Sequence, residues 1–333
     1  MQLPIPVSLR RRHFFRQLSA CALFPVVNGS TALAATTRNG AASPPKVLRI
    51  GFQKYGTLVI LKGQGSLEKR LAEKGIPVKW VEFPYGPPLL EAINVGSIDV
   101  GTVGESPPVF AQAAGADLLY IGHEPPSPAS EALIVPKNSM IRSISALKGK
   151  KIAVAKGSNA NYLLVRLLEQ AGLAFSDIQP VFLPPADARA AFESGRIDAW
   201  AIWDPFLAAA EQHLNARILA DGKGVVDNHQ FYLSSRTFAE QHPDIVHILL
   251  EEIDRVGHWA EQNPQAVAQT LSPQVGIEAP LLEIAAQRRS YGVYPVTPDV
   301  LKRQQKIADT FYTLKLLPRR LTVTDWYWKT VPS

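Results

Sequence analysis

Sulfur is scarce in this chain. Its 333 residues hold one cysteine and two methionines, and the cysteine, Cys21, lies near the N-terminus in a segment that reads as removable. A processed chain then carries no thiol, which excludes a disulfide framework, thiolate catalysis and cysteine-ligated metal. Beyond the N-terminus no apolar run approaches the ~18 residues that cross a bilayer. Catalytic punctuation is missing as well. There is no His-Glu-x-x-His, no Gly-x-Ser-x-Gly elbow and no phosphate loop. Of the seven histidines, His13 is N-terminal, and His242 and His247 stand five apart, off a common helical face. No catalytic residue, metal or cofactor is expected.

The N-terminus is a targeting segment. "RRRHFFRQL" resembles a twin-arginine export signal, although Arg10 replaces the expected Ser or Thr. Leu18 to Val27 is apolar, and Ala32-Leu33-Ala34 makes a small-x-small cleavage site near Ala34/Ala35. "LSAC" imitates a lipoprotein box, but Arg16-Gln17 occupies the place of the apolar run that such a box requires. Residues 1–35 hold four arginines and no acid. Taking those four from 35 basic residues leaves 31 against 29 acidic, a net of +2. The basic character therefore belongs largely to the signal, and nucleic acid is not an implied partner.

What the chain does have is an internal echo. "VGSIDVGTVGESPP" (95–108) returns as "SGRIDAWAIWDPF" (194–206). Gly96 matches Gly195, Ile98 matches Ile197, Asp99 matches Asp198, and Glu105 matches Asp204. Strand and helix patterns alternate in the same order around both copies. Strands such as "VLRIGF" and "KKIAVA" alternate with helices, and "GPPLLEAINVG" carries prolines at its start and glycine at its end. This predicts an α/β protein of two similar lobes, each a mostly parallel sheet flanked by helices. A linker is expected over 36–45, lobe 1 over 46–127 and 236–333, and lobe 2 over 128–235. The lobe connections, near 125–135 and 228–236, each contain a short apolar run suited to a strand.

Ligands of open α/β sheets bind beyond the carboxyl ends of strands. There the sequence sets helix N-termini at Gly56-Thr57, Gly86-Pro87, Ser106-Pro107, Gly157-Ser158 and Asp204-Pro205. Free N–H groups and the positive dipole end suit a small anion without a basic side chain. Phe52, Tyr55, Tyr85, Tyr162, Trp200 and Trp203 lie near the same ends. Trp203 reads as cleft lining, and Trp200 reads equally as cleft or core. Glu105 has two readings: a structural acid at its helix start, or a contact to an amino or hydroxyl group of the ligand.

The segments "LRIGFQK", "WVEFPYGPPLLEAINVGSIDVGTVGESPPVFAQAAGADLLYIG", "LKGKKIAVAKGSN", "ADARAAFESGRIDAWAIWDPF" and "PVTPDVLKRQQKIADTFY" resemble the periplasmic aliphatic-sulfonate-binding proteins of ABC importers. The resemblance runs from Val47 to about Leu321. It implies a type II periplasmic binding protein that closes on an alkanesulfonate and hands it to an inner-membrane permease with its ATPase, working as a monomer. Carried over by position, it implies a ligand set of Gln53, Gly104, Glu105, Ser106, Gly157, Ser158, Asn159, Trp203, Asp204 and Pro205, with no committed cation. Taurine, nitrate and other small anions stay open as ligands. A pyrimidine-precursor enzyme of the same fold is a remote alternative, since that chemistry draws on a cysteine-rich motif.

Overall fold

The computed structural model describes residues 44–329. The expected signal, its cleavage site, Cys21 and most of the linker lie outside the described residues.

Among the described residues ten strands form two five-stranded sheets. The first contains β1 (Leu48–Phe52), β2 (Val78–Glu82), β3 (Val100–Gly104), β4 (Leu118–His123) and β10 (Gln230–Ser235), in the order β2-β1-β3-β10-β4. The second contains β5 (Glu131–Pro136), β6 (Lys151–Val154), β7 (Gln179–Phe182), β8 (Ala199–Trp203) and β9 (Ala216–Asp221), in the order β7-β6-β8-β5-β9. The two orders match strand for strand, β1 with β6, β3 with β8 and β10 with β5. In each sheet four strands run one way. The fifth, β10 or β5, is antiparallel to both its neighbours.

Each antiparallel strand enters its sheet directly after a crossing. Gln230–Ser235 therefore belongs to the first lobe, where the sequence placed it in the second, and that crossing falls within 222–229. The physical reason is burial between β3 and β4: Phe231, Tyr232 and Leu233 are each at most 1% exposed, and both edges of β10 are hydrogen-bonded.

The echoed Gly-x-Ile-Asp has a local cause. A helix ends just before each copy, Gly86–Asn94 and Pro185–Glu193. Gly96 and Gly195 then turn the chain at φ 71° and 67°, a left-handed conformation that favours glycine. Ile98 and Ile197 drop into the core. The acid then clasps the neighbouring strand: Asp99 Oδ2 accepts from the Arg49 amide at 2.8 Å, and Asp198 Oδ2 accepts from the Lys151 amide at 2.8 Å. The repeat is thus a strand-registering device used twice.

After β10 the chain turns helical and packs against the first lobe. Pro243–Gln262 buries Ile245, Leu249, Ile253 and Val256 in one apolar cluster with β1 and Leu58 to Leu61. The break anticipated at "SPQVGIEAP" falls at its glycine. The helix Pro264–Val275 runs through Pro273 and stops at Gly276, φ 66°. Pro298–Thr313 links the lobes, since Phe311 packs on Phe110 (4.8 Å between centroids) and on Tyr162 (5.8 Å). The tail covers the edge of β4, with Tyr120 N–H donating to Trp326 O at 2.8 Å and Trp328 N–H to Tyr120 O at 2.9 Å. Pairing an edge strand removes a site of aggregation.

Candidate functional site: a cavity between the lobes

A cavity of about 70 Å³ lies where the carboxyl ends of β1, β3 and β8 meet. That volume, the space open to the centres of water molecules, is room for several waters or one small anion with a short carbon tail. Of the ten residues chosen from the sequence, Gln53, Gly104, Ser158, Asn159, Trp203, Asp204 and Pro205 line it, while Glu105, Ser106 and Gly157 do not.

Ser158 N-caps the helix Asn159–Gln170: its Oγ accepts from Asn161 N–H at 3.2 Å, which leaves the hydroxyl proton to donate. Gln53, just past β1, uses one amide hydrogen on Thr102 O at 3.2 Å and keeps the other. Thr102 Oγ1 is buried without a partner and also belongs to the lining.

The side chain of Asn159, which lines the cavity, is engaged by the protein itself. Its Oδ1 accepts the Ser106 amide at 3.0 Å, and its Nδ2 donates to Asn228 Oδ1 at 2.5 Å. One side chain of the second lobe thereby caps the first-lobe helix Ser106–Ala113 and ties to the crossing. This removes the Ser106 amide from the set of free anion donors. It also explains Gly104, where a Cβ would stand 2.2 Å from Asn159 Oδ1. Gly157 has φ 73° and gives its amide to Asn161 Oδ1 at 3.1 Å.

Glu105 is structural, though not as a cap of its own helix. Its two oxygens accept the amides of Asn228 (3.3 Å) and His229 (3.0 Å), so it pins the second crossing. Burial pushes its carboxyl up to about 8 despite those donors. Asp204, its counterpart in the repeat, does line the cavity. The helix there begins at Phe206, one residue later than read from the sequence, with Pro205 at the cap position. Asp204 Oδ1 accepts from Ala208 N–H at 3.0 Å, so the acid still performs the capping. Burial pushes its carboxyl up to about 7, while Arg288 pulls the other way.

Among the aromatics, Trp203 faces the cavity and meets Phe206 edge-on at 6.3 Å. Trp200 is 1% exposed and packs on Phe192 in the core. Tyr55 lines the cavity, whereas Phe52 is buried against Trp80.

The expectation of no committed cation fails. Arg289 lines the cavity with its side chain 8% exposed. It forms an ion pair with the buried Glu124, and its ring neighbour is Tyr55, 5.7 Å from the guanidinium carbon. Burial is the largest single influence and opposes the charge on Arg289, but Glu124 together with Tyr291, Tyr55 and Tyr232 outweighs it and holds the pKa above the ordinary arginine value. Arg289 Nε is buried with no partner. Glu124 is itself held by Thr57 Oγ1 at 2.6 Å and the Tyr232 hydroxyl at 2.5 Å. The only sequence signal was a doubled arginine in "AAQRRSYG", which reads as an exposed helix end.

A family model described as NMT1/THI5 like matches residues 71–267. An aliphatic sulfonates-binding protein of Escherichia coli (strain K12) is 43% identical over 291 residues, covering 87% of this chain and 91% of that protein. One of Bacillus subtilis (strain 168) is 34% identical over 298 residues, covering 88% and 90%. The structure of the alkanesulfonate-binding protein SsuA from Xanthomonas axonopodis pv. citri bound to MOPS is 44% identical with a TM-score of 0.83, covering 86% of this chain and 99% of that one.

Proposed function

The chain belongs to the NMT1/THI5-like family and to the aliphatic-sulfonate-binding proteins, and from that premise we propose that it is the solute-binding component of an ABC importer. It is exported to the periplasm and cleaved near Ala34/Ala35. As a monomer it captures aliphatic sulfonates and delivers them to a permease and ATPase in the inner membrane for sulfur acquisition. Its task is capture and release, without catalysis.

The observation that carries this reading is the composition of the interlobe cavity. A sulfonate offers three oxygens spread around one sulfur and a single negative charge. Arg289, Gln53 and Thr102 supply donors from the first lobe, and Ser158 supplies one from the second. Because Glu124 balances Arg289, retention depends on oriented donors more than on net charge. A hydrogen bond to a charged group contributes about 1.5–3 kcal/mol. Four of them leave roughly micromolar affinity after association and closure costs. Trp203 gives the carbon tail an apolar wall.

Titration calorimetry of the exported, processed protein tests this. Ethanesulfonate is expected to bind once per chain with roughly micromolar affinity, and nitrate more weakly. Nitrate binding tighter than every alkanesulfonate overturns the reading. N-terminal sequencing of the same sample is expected to start near Ala35. A retained Arg11-Arg12, or lipid on Cys21, contradicts the export route.

A further inference from the structure

Arg288 and Arg289 are neighbours in the chain and reach in opposite directions. Arg289 turns back into the first lobe, to Glu124. Arg288 crosses to the second lobe. Its Nη2 donates to Glu211 Oε2 at 2.7 Å, and its Nη1 stands 3.5 Å from Asp204 Oδ1 with no hydrogen bond of its own. The backbone that carries Arg288 is fixed two residues on. There Ser290 N–H donates to Ser127 Oγ at 2.9 Å and the Ser290 hydroxyl to Pro126 O at 2.8 Å, both on the first crossing.

Glu211 lies in the last turn of the helix Phe206–His213, whose Leu207 and Ala210 are buried in the second-lobe core with Trp200. Arg288 stands at the C-terminal cap of the helix Ala279–Gln287, whose Leu282 and Ala286 are buried in the first-lobe core with Ile50. Each helix therefore moves with its own lobe, and the ion pair forms only where the lobes meet. A second contact joins the same two helices, His213 Nε2 to Glu278 Oε1 at 3.6 Å. The second-lobe helix also starts at the ligand cavity, since Trp203, Asp204, Pro205 and Phe206 line it. One short rigid helix thus carries a wall of the cavity at its start and Glu211 at its end. The Arg288 and Glu211 side chains are 22% and 23% exposed, so water screens the pair only in part and it contributes more than an exposed one.

Resting on the capture reading above, we propose that Arg288 and Glu211 are a positioning pair that latches the lobes shut, and that they set how slowly the ligand leaves without recognising it. Neither residue lines the cavity. The pair forms between protein side chains, so it favours closure with or without ligand, and by the same amount whichever ligand is inside. Ligand enters the open cleft before the pair forms and leaves only after it breaks. The latch therefore acts on dissociation, the step in which most affinity differences between related complexes lie.

Stopped-flow binding of ethanesulfonate and butanesulfonate to wild type, Glu211→Gln, Arg288→Gln and the double variant tests this. Glu211→Gln is expected to release both ligands about tenfold faster, by one common factor, with association within about threefold of wild type. In the Arg288→Gln background the same change is expected to add less than about threefold. Arg288→Gln alone, expected to speed release likewise, gives the reading if Glu211→Gln fails to fold. Small-angle scattering of ligand-free protein is expected to show a larger radius of gyration for Glu211→Arg, which sets two cations face to face, than for wild type. Release from both single variants at the wild-type rate overturns the latch and leaves the sulfonate reading intact. So does a loss confined to one ligand or to association, or an undiminished effect of Glu211→Gln beside Arg288→Gln. Failure of both sulfonates to bind wild type overturns the sulfonate reading. The scattering comparison then decides the latch alone, and an unchanged radius overturns it.

Discussion

Glu105, Glu124, Glu131 and Asp204 are buried carboxyls close to the lobe crossings, and Glu131 is the least supported of them. It opens β5, is 0% exposed, and neither of its oxygens has a hydrogen-bond partner. Burial first, and then the charge of Glu105, pushes its carboxyl well above the usual range. In the folded protein it therefore holds a proton that the unfolded chain has given up above about pH 4.3. Stability contributed by this group falls as pH rises from that value. His123 and His229 act the other way, because burial lowers their pKa and folding gains as pH rises through about 6.5. Whole-protein stability mixes the two trends, but a variant isolates one. Glu131→Gln, measured against wild type by urea unfolding at pH 5 and pH 8, is expected to gain more than about 1 kcal/mol relative to wild type between those values. A difference that does not change with pH means that Glu131 ionises normally in the fold.

At the scale of elements, the duplicated Gly-x-Ile-Asp predicts unequal consequences from equal mutations. Asp99 accepts the Arg49 amide and also takes the Arg49 guanidinium at 2.5 Å, in a site where its side chain is 9% exposed. Asp198 accepts only the Lys151 amide, in a half-buried site. Asp99→Ala is expected to cost roughly 2–4 kcal/mol and Asp198→Ala roughly 1–2 kcal/mol, read as shifted urea midpoints with unchanged slope. Equal costs contradict this account of the repeat.

The echo was legible because every residue in it serves a local need: a left-handed turn, a core side chain, a clasp to the next strand. The lobes, the order of strands and helices, and the helix starts at Gly86, Ser106 and Ser158 followed from it. That β10 joins the first sheet and not the second was not legible, since its partners lie far along the chain and an apolar run carries no mark of which sheet it joins. The site divided in the same way. Gln53, Ser158, Trp203 and Asp204 stand at strand ends that the pattern revealed. Arg289 stands 236 residues beyond Gln53 and reaches the cavity only because the chain returns to its first lobe and Glu124 receives it. The side-chain tie of Asn159 to Ser106 across the lobes was not legible, because nothing in the sequence marks that partner.

Over the whole molecule, ties between the lobes surround the cavity. Asn159 reaches Ser106 and Arg288 reaches Glu211, while Arg303 reaches Asp227 in the second crossing at 2.7 Å. Closure of two lobes about their crossings is a common way to enclose a ligand. The central claim is that a sulfonate sits inside, held from both sides. The scarcity of sulfur offers a direct view of it, because the only methionine beyond the signal is Met140, which is 87% exposed and on the second lobe. A crystal of the processed protein grown with ethanesulfonate, measured for sulfur anomalous scattering, is expected to show two peaks. One marks Met140, and the other lies in the cavity with sulfonate oxygens at hydrogen-bond distance from Arg289 on one lobe and Ser158 on the other. A ligand sulfur found outside the cavity, or inside it but touching neither Arg289 nor Ser158, contradicts the account.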